Sequence, residues 1–590
     1  MEKNFKVGVS DKKPAVLKHV ILIIFTGIII YSNSLNGMFH YDDFSVVHRI
    51  NTSLNLNNLR YVGWLTFRLN LLLGKSNIAC YHAVNIAIHV LSAVCVYFII
   101  LLLKKKFNML NPLLVSLLYV MHPLATEPVN YITARFTELA VLFGLASLLF
   151  FISYRESKKI TFLILTGISF TAAAFSKEVG IFYAAGGIIA YVYFLGDRPV
   201  EKISSRKKII IFLALAALAV IIFRFTGAYE RIKAGYLLEY FLIQNKVFIE
   251  KYMRLMLLPV GLNIHHGFQP HLLGNLKAVI FSPLVIAGFL INVSIVVSAL
   301  LKKNRIVAFS VIWLYLMQLP YFILTSGELV VEYRTYAMLF GYALLAGYAL
   351  NKFIRKTPGR AACVLILACF FSLTLTRNLC WKNESSLWAS ALKNNPGSDR
   401  AMVEYGKTLI NSGEYEKAIS MFAEAIMTSP SNPDCYNNRG VAYTSVNRLS
   451  EAINDFSTAL KLSPDFVQAY NNRGTAYARN KNYAEAVKDF NRAVELDPGN
   501  ANIYYNRAVV FQYMGRFNEA IDDYSKVVSA MPGEVQVYIK RGMLYANAGK
   551  YNESIEDFTT ALKLSPDSRR AYESRAKVYR KLQANRDVVK

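Results

Sequence analysis

The chain has 590 residues, 54% of them apolar, which excludes a single small soluble domain and favours a large membrane part. Its net charge of +27 is uneven: residues 1–380 hold 38 Lys and Arg against 15 Asp and Glu (+23), and the rest hold 28 against 24 (+4). Because the basic excess follows the apolar part, it indicates basic side chains retained at the cytoplasmic ends of membrane helices rather than a nucleic-acid surface.

The first 380 residues contain a series of apolar segments. A helix needs about 20 apolar residues to cross a hydrocarbon core of about 30 Å, and fewer when its ends reach the interface. Eleven segments meet this requirement, and they predict an all-α polytopic membrane domain over residues 1–380. The predicted spans are 17–33, 79–103, 108–121, 138–153, 160–175, 179–195, 209–225, 278–301, 306–325, 335–351 and 361–376.

A twelfth apolar segment and the basic clusters decide the predicted orientation. Residues 240–262 carry four charged side chains, which favours an interfacial or re-entrant helix over a crossing one. If this segment does not cross and the N-terminus is cytoplasmic, the basic clusters at 104–106, 205–208 and 302–305 all face the cytoplasm, as the positive-inside rule requires. The odd number of spans then places the C-terminal part outside the cytoplasm.

Most acidic residues of the membrane part fall on the outer face in this topology. They accompany polar segments from separate loops, at 122–138, 176–178 and 332–334, and an extracytoplasmic first loop at 34–78. Asp and Glu barely influence insertion, so the orientation alone does not require this arrangement. We therefore predict an active site at the outer membrane surface.

The first loop supplies a candidate general base. Asp42 and Asp43 are adjacent, and neighbouring side chains diverge whether the segment is extended or helical. One of the two is expected to contact a reacting atom and accept its proton, unless a divalent metal ion bridges both.

Basic residues on three other outer-face loops are the expected counterpart of these acids. Arg135, Lys177 and Arg334 would stabilise a departing phosphate, which favours sugar transfer from a lipid-phosphate donor whose polyprenyl tail stays in the bilayer. The alternative is that each cation only pairs with a nearby acid and stabilises a helix end. The pairs would be Arg135 with Glu138, Lys177 with Glu178, and Arg334 with Glu332.

The C-terminal part is built from a sequence repeat, with prolines every 34 residues from 396 to 566. Together with a small residue at position 8 and an aromatic residue at position 24, this period predicts tetratricopeptide repeats, a superhelix of helix pairs with a concave binding face. A linker with a half-repeat, 381–398, precedes them, and a capping helix, 569–590, follows. The predicted full repeats are 399–432, 433–466, 467–500, 501–534 and 535–568.

Three consecutive repeats have asparagine at position 6: Asn438, Asn472 and Asn506. A row of amides offers the donors and acceptors that complement a peptide backbone, so it is expected to hold an extended acceptor polypeptide. The alternative is a helix-surface residue that was copied when the repeats duplicated.

Several stretches of the chain resemble one family of membrane enzymes. FHYDD follows the first span, HPLATEPVNYITAR precedes the fourth, FSKEVG lies between the fifth and sixth, VEYRTYAMLFGY begins the tenth, and RNLCWKNESSLWASALKNNPGSDRA leads into the repeats. In this order they resemble the transmembrane and tetratricopeptide-repeat-containing O-mannosyltransferases and their bacterial relatives. The resemblance implies a type C glycosyltransferase fold and an inverting transfer of mannose or a similar hexose. The donor would be a polyprenyl-phosphate sugar and the acceptor a Ser or Thr hydroxyl of an exported protein.

The resemblance also implies roles for individual residues. Asp42 corresponds to the base, and Asp43 would orient the site or bind a metal ion. The other residues that match the family's motifs are His122, Glu127, Arg135, Lys177 and Glu178. Arg135, Lys177 and Arg334 are the expected donor-phosphate-binding residues. The expected supporting residues are His122, Glu127, Glu138, Glu178 and Tyr333.

Two other functions stay open at this level. An oligosaccharide ligase or polymerase with a lipid-diphosphate donor has a similar many-span plan, although it usually has a large late exported loop. A membrane-anchored repeat scaffold would need no catalytic residues. We expect a bacterial inner membrane with extracytoplasmic repeats, or the endoplasmic reticulum in a eukaryotic host.

Overall fold

The computed structural model describes residues 13–39, 43, 60–74, 77–108, 110–196, 243–263, 283–301, 304–323, 332–354 and 357–589. Every regular element in these ranges is helical, which confirms the predicted all-α class. The chain divides into two compact units, Met1–Pro396 and Gly397–Lys590.

The first unit is a bundle of apolar helices. Its helices are α1 Lys13–Tyr31, α2 Tyr61–Gly74, α3 Ile78–Lys104, α4 Pro112–Val120, α5 Thr126–Asn130, α6 Arg135–Ser157, α7 Ile160–Ala174, α8 Gly180–Ala190, α9 Arg254–Leu257, α10 Pro283–Leu301, α11 Arg305–Ile323, α12 Leu339–Ile354, α13 Thr357–Cys380 and α14 Glu384–Asn394. Short 3-10 turns at Ser32–Asn36, Pro123–Ala125, Ile132–Ala134 and Glu332–Met338 join several of them.

Several of these helices can span a membrane, although the predicted count of eleven is not confirmed. Five described segments are long and apolar enough to cross: Pro14–Asn36, Ile78–Lys104, Ile132–Ser157, Glu332–Ile354 and Thr357–Cys380. Four others are apolar but shorter: Ile160–Ala174, Gly180–Leu195, Ile286–Leu301 and Arg305–Tyr321.

Two predicted spans remain. The span at 108–121 contains only the nine-residue helix α4, about 14 Å long, which is less than half of a hydrocarbon core. The span at 209–225 lies outside the described residues.

The segment predicted to be interfacial, 240–262, is helical from its first described residue, Ile243, to Leu257. It includes a π-helical stretch, Phe248–Met253, and has a largely buried apolar face. The carbonyl of Asn245 accepts a hydrogen bond from Asn292 of α10 at 2.9 Å. The segment therefore packs within the bundle, and its failure to cross the membrane stays a prediction.

Buried amides tie the first and last long helices of this unit together. Asn378 of α13 donates to the carbonyl of Ile30 at 2.8 Å and accepts from Asn130 of α5 at 2.7 Å. Thr374, one turn earlier, donates to the carbonyl of Met121. Since Asn378 and Thr374 find their partners inside the protein, the bundle can bury these two side chains at low cost.

The second unit is a series of antiparallel helix pairs. Its helices are α15 Asp399–Asn411, α16 Tyr415–Thr428, α17 Pro433–Ser445, α18 Leu449–Leu462, α19 Val467–Arg479, α20 Tyr483–Leu496, α21 Ala501–Tyr513, α22 Phe517–Ala530, α23 Val535–Asn547, α24 Tyr551–Leu564 and α25 Arg569–Val589. The small residue at position 8 permits the close approach within a pair. At Gly440 a Cβ atom would lie 2.7 Å from the ring of Phe456, so glycine is required there.

An arginine at position 7 of each of four repeats bridges the two helices of its own pair. Arg507 donates from Nε and Nη2 to the two carboxylate oxygens of Asp523, both at 2.7 Å, and the Asp523 side chain is 4% exposed. Its Nη1 donates to Asn491 in the preceding repeat at 2.7 Å. The same bidentate ion pair occurs at Arg439–Asp455, Arg473–Asp489 and Arg541–Asp557.

We predict that Asp523→Asn destabilises the repeat unit by about 3 kcal/mol, because it leaves the Arg507 guanidinium without its carboxylate. Glu495→Gln is the matched control: its partner Arg492 is exposed, and exposed pairs contribute at most about 0.5–1 kcal/mol. Hydrogen exchange of α20, α21 and α22 in the full chain measures both effects. Equal exchange rates in the two variants would contradict a structural role for the pair.

Candidate functional site

The candidate site is organised by the segment that joins α5 to α6, residues 131–138. Arg135 begins α6 and is completely buried. It donates from Nε to Asn85 of α3 at 2.7 Å, from Nη1 to Asn70 of α2 at 2.6 Å, and from Nη2 to the carbonyl of Tyr81 at 2.8 Å. The guanidinium also lies 4.2 Å from the ring centre of Phe67. Arg135 thus fixes this segment against α2 and α3.

The first loop reaches the same segment through Asp43. This carboxylate is fully buried, and its Oδ1 accepts a hydrogen bond from the backbone N–H of Thr133 at 2.8 Å. Asp42 lies outside the described residues. Because adjacent side chains diverge, the inward direction of Asp43 agrees with a division of roles between the two acids.

Lys177 reaches this segment from the turn between α7 and α8. Its Nζ donates to the Thr137 hydroxyl at 2.7 Å and lies 4.9 Å from the ring centre of Tyr333. Burial, followed by the nearby charge of Arg60, lowers the pKa of Lys177 to about 7. The ammonium is held by a neutral hydroxyl and an aromatic face, so it can accept an anion as a further partner.

Glu178 pairs with Arg60 and not with its neighbour Lys177, the pair that the alternative interpretation of the sequence suggested. It accepts a two-pronged ion pair from Arg60, at 2.8 Å from Nε and 3.3 Å from Nη2. Arg60 belongs to the first loop, so this pair is a second connection between that loop and the 176–178 turn. The sequence did contain a signal for Arg60. The positive-inside rule depletes exported loops of Arg and Lys, so an arginine in a loop predicted to be exported indicates a specific role.

The 332–334 segment forms a 3-10 turn that leads into α12. Arg334 is 3% exposed, and its guanidinium lies 5.2 Å from the ring centre of Tyr321. Glu332 accepts the backbone N–H of Asn263 at 2.5 Å. The charge of Arg334 also lowers the pKa of Lys177, after the contribution of Arg60, so the two cations are near each other.

His122 is a structural residue in the observed arrangement. Its Nδ1 accepts the N–H of Leu124 at 3.2 Å, and its Nε2 donates to the carbonyl of Met256 at 3.0 Å. Burial lowers its pKa to about 4, so the ring is neutral at neutral pH. His122 therefore positions the 122–126 turn against α9 and contributes no charge to phosphate binding.

Two buried carboxylates complete this part of the bundle. Glu127 in α5 is 3% exposed. Glu138 is fully buried one turn after Arg135, and among the described residues neither of its carboxyl oxygens has a hydrogen-bond partner. The nearby charge of Arg135 acts on this acid, and a buried carboxyl group without hydrogen bonds is costly.

The predicted asparagine row, Asn438, Asn472 and Asn506, lies in the repeat unit, and each of its amides donates one hydrogen bond within that unit. Asn472 donates to Asn437 and Asn506 donates to Asn471, each at 3.0 Å, whereas Asn438 donates to the carbonyl of Asp434 at 2.8 Å. Position 5 of the preceding repeat is thus the partner of position 6, a pattern the sequence analysis missed. The three side chains are half-buried.

Within the described residues, no group of three or more His, Cys, Asp and Glu side chains could hold a metal ion. Asp42 lies outside those residues, so a metal bridged by the acid pair stays a prediction.

Tetratricopeptide-repeat family models match residues 399–432, 437–501, 501–532 and 535–568. The repeats are also similar to the solved structure of YrrB, described as a TPR protein with an unusual peptide-binding site. The two are 20% identical, with a TM-score of 0.28, and the match covers 32% of this chain and 99% of YrrB.

Curated relatives match much of the chain. A protein O-mannosyl-transferase of Caenorhabditis elegans, F38B6.6, is 24% identical over 434 residues, 67% of this chain and 61% of the relative. Mouse TMTC3, also named a protein O-mannosyl-transferase, is 25% identical over 404 residues, 60% of this chain and 42% of the relative. With human TMTC3 included, the chain spans 42% to 61% of the length of these relatives. The chain is thus similar over much of its length to protein O-mannosyltransferases, and its C-terminal unit consists of tetratricopeptide repeats.

Proposed function

We propose that the protein is a membrane glycosyltransferase that moves a hexose such as mannose from a polyprenyl-phosphate donor to Ser or Thr hydroxyls of exported proteins. The observation that carries the proposal is the meeting of separate loops at residues 133–137. Asp43 of the first loop bonds to Thr133, and Lys177 of the α7–α8 turn bonds to Thr137. This gathers an acid-bearing loop and a weakly held cation around one helix start, in a chain similar to protein O-mannosyltransferases.

The proposed reaction is an inverting displacement. The acceptor hydroxyl attacks the anomeric carbon, the bond from that carbon to the donor phosphate oxygen breaks, and Asp42 accepts the hydroxyl proton. Polyprenyl phosphate leaves with the bonding electron pair, so its developing charge needs cations. Lys177 and Arg334 are assigned this role.

Arg135 and Asp43 are assigned positioning roles. All three donor nitrogens of Arg135 are occupied by neutral acceptors from α2 and α3, which leaves the donor phosphate to the other cations. Asp43 anchors the first loop next to the proposed base, Asp42.

The repeats are proposed to bind the acceptor polypeptide. In the described structure the side-chain oxygens of Asn472 and Asn506 accept no hydrogen bond, and each amide nitrogen uses one of its two protons. These groups suit the N–H and C=O of an extended chain. The asparagines therefore serve as backbone contacts, with little dependence on acceptor sequence.

We predict that Asp42→Asn lowers kcat at least about 100-fold, the usual contribution of a general base. The assay uses purified full chain, a polyprenyl-phosphate mannose and a Ser/Thr peptide, with sugar transfer measured by mass spectrometry. Glu156→Gln, at the opposite end of α6, is the control and should retain full activity.

Full activity in Asp42→Asn would refute the assigned base. If the wild type transfers sugar from no lipid monophosphate but does so from a lipid diphosphate, the ligase function replaces this proposal. Failure with both donor types supports the scaffold.

Lys177→Met should lower kcat/KM about 10- to 100-fold through weaker donor binding, because one charge-assisted contact to phosphate is lost. Lys158→Met is the matched control, since Lys158 ends α6 about 30 Å from Thr137. A kcat/KM ratio near one between wild type and Lys177→Met would contradict the role.

The pKa of Lys177 also predicts a pH profile. The ammonium is charged below pH about 7 and neutral above it, so wild-type kcat/KM should fall as pH rises through this value. The fall should be absent in Lys177→Met. If both proteins show the same profile between pH 6 and pH 9, another group controls donor binding.

A further inference from the structure

A second arginine of the membrane unit, Arg377, has donors that the protein leaves unused. It lies in the last turn of α13 and is 7% exposed. Its Nη1 donates to the Ser390 hydroxyl of α14 at 3.2 Å, whereas Nε and Nη2 are buried and have no hydrogen-bond partner among the residues that the structure describes. The two unused N–H groups are the parallel pair on one edge of the guanidinium.

The repeat unit shows what this edge normally binds. In Arg439, Arg473, Arg507 and Arg541 the same two nitrogens, Nε and Nη2, donate to both oxygens of an aspartate at 2.7 to 2.9 Å. This edge matches the spacing of two oxygens in a carboxylate or a phosphate. At Arg377 no acid of the described residues occupies the corresponding position.

The helix turns on both sides of Arg377 are buried in the bundle. Thr374, one turn before it, bonds to the carbonyl of Met121, and Trp381, one turn after it, is 1% exposed. Residues 377–394 carry three basic side chains and one acid. A buried cation without its acceptors is costly, so a ligand that supplies two oxygens would be bound with a large gain.

We propose that the Arg377 edge is a phosphate-binding site at the end of α13. This site binds phosphate without taking part in the transfer reaction, in which Lys177 and Arg334 contact the donor phosphate. The phosphate has two chemical sources, the monophosphate of a polyprenyl lipid or the phosphodiester of a bilayer lipid; the first source rests on the proposed function.

The test measures binding to the purified full chain in nanodiscs of uncharged lipid, without any acceptor peptide. The probes are a short-chain isoprenyl monophosphate, inorganic phosphate, and phosphatidylglycerol added to the nanodisc. Arg377→Lys keeps the charge and removes the two-donor edge. Arg360→Gln is the matched control, because Arg360 is an exposed arginine near the start of the same helix.

We expect Arg377→Lys to weaken isoprenyl monophosphate binding at least about tenfold and Arg360→Gln to change it less than about twofold. The same probe should raise the Tm of the wild type and of Arg360→Gln by more than that of Arg377→Lys, while all three proteins share the same Tm without it, which separates lost binding from lost folding. Binding of the monophosphate alone identifies a lipid-monophosphate site, and equal loss with phosphatidylglycerol identifies a bilayer headgroup site.

Unchanged affinity of a folded Arg377→Lys for all three probes would overturn the site. Because no sugar is transferred in this assay, the site can fail while the proposed function stands. Conversely, phosphate binding that is intact in a protein without transferase activity would remove only the proposed function.

Discussion

An arginine inside an apolar bundle must find its hydrogen-bond acceptors within the protein, and Arg135 satisfies this constraint with two amides and one carbonyl. Removing a guanidinium from water costs several kcal/mol, and hydrogen bonds to acceptors in the protein offset this cost. The acceptors on α2 and α3 therefore hold the start of α6 in one position. Side chains from other loops that bond to the start of α6 are positioned by it. Asp43 and Lys177 are both attached there, which is how loops far apart in sequence meet at one place.

Three of the guanidinium environments among the described residues can be compared directly. In the repeats the guanidinium holds helix pairs together through buried aspartates, and at Arg135 it holds membrane helices together through neutral acceptors. At Arg377 none of the described residues supplies an acceptor for one edge. Because the group and its donors are identical in all three, the acceptors around it decide whether it stabilises the fold or binds a ligand.

The fold was predictable where the sequence carries a period. The 34-residue repeat and the long apolar segments follow directly from helix geometry, and both are present in the structure. The number of spans was less predictable, because an apolar window does not reveal that α4 ends after nine residues. The sequence also predicted that separate loops converge on one site. In the structure Asp43 and Lys177 bond to Thr133 and Thr137, on either side of Arg135 at the start of α6.

The partners of these residues were not predictable. Asn70 and Asn85 accept hydrogen bonds from Arg135, but in the sequence nothing distinguishes them from other polar residues in apolar helices. Glu178 pairs with Arg60, 118 residues away, rather than with its neighbour Lys177, since tertiary contacts outweigh sequence proximity. The unused edge of Arg377 likewise becomes visible only when every acceptor around it is known.

The central claim is that the first loop and the repeats share the non-cytoplasmic side of the membrane, where a lipid-linked sugar and an exported polypeptide meet. The most direct measurement is labelling of sealed vesicles with a membrane-impermeant maleimide, in a chain whose six native cysteines are replaced by serine and a single cysteine is placed at residue 42, 105 or 499. The account predicts that positions 42 and 499 react from one side and position 105 from the other. Labelling of positions 42 and 499 from opposite sides would contradict it.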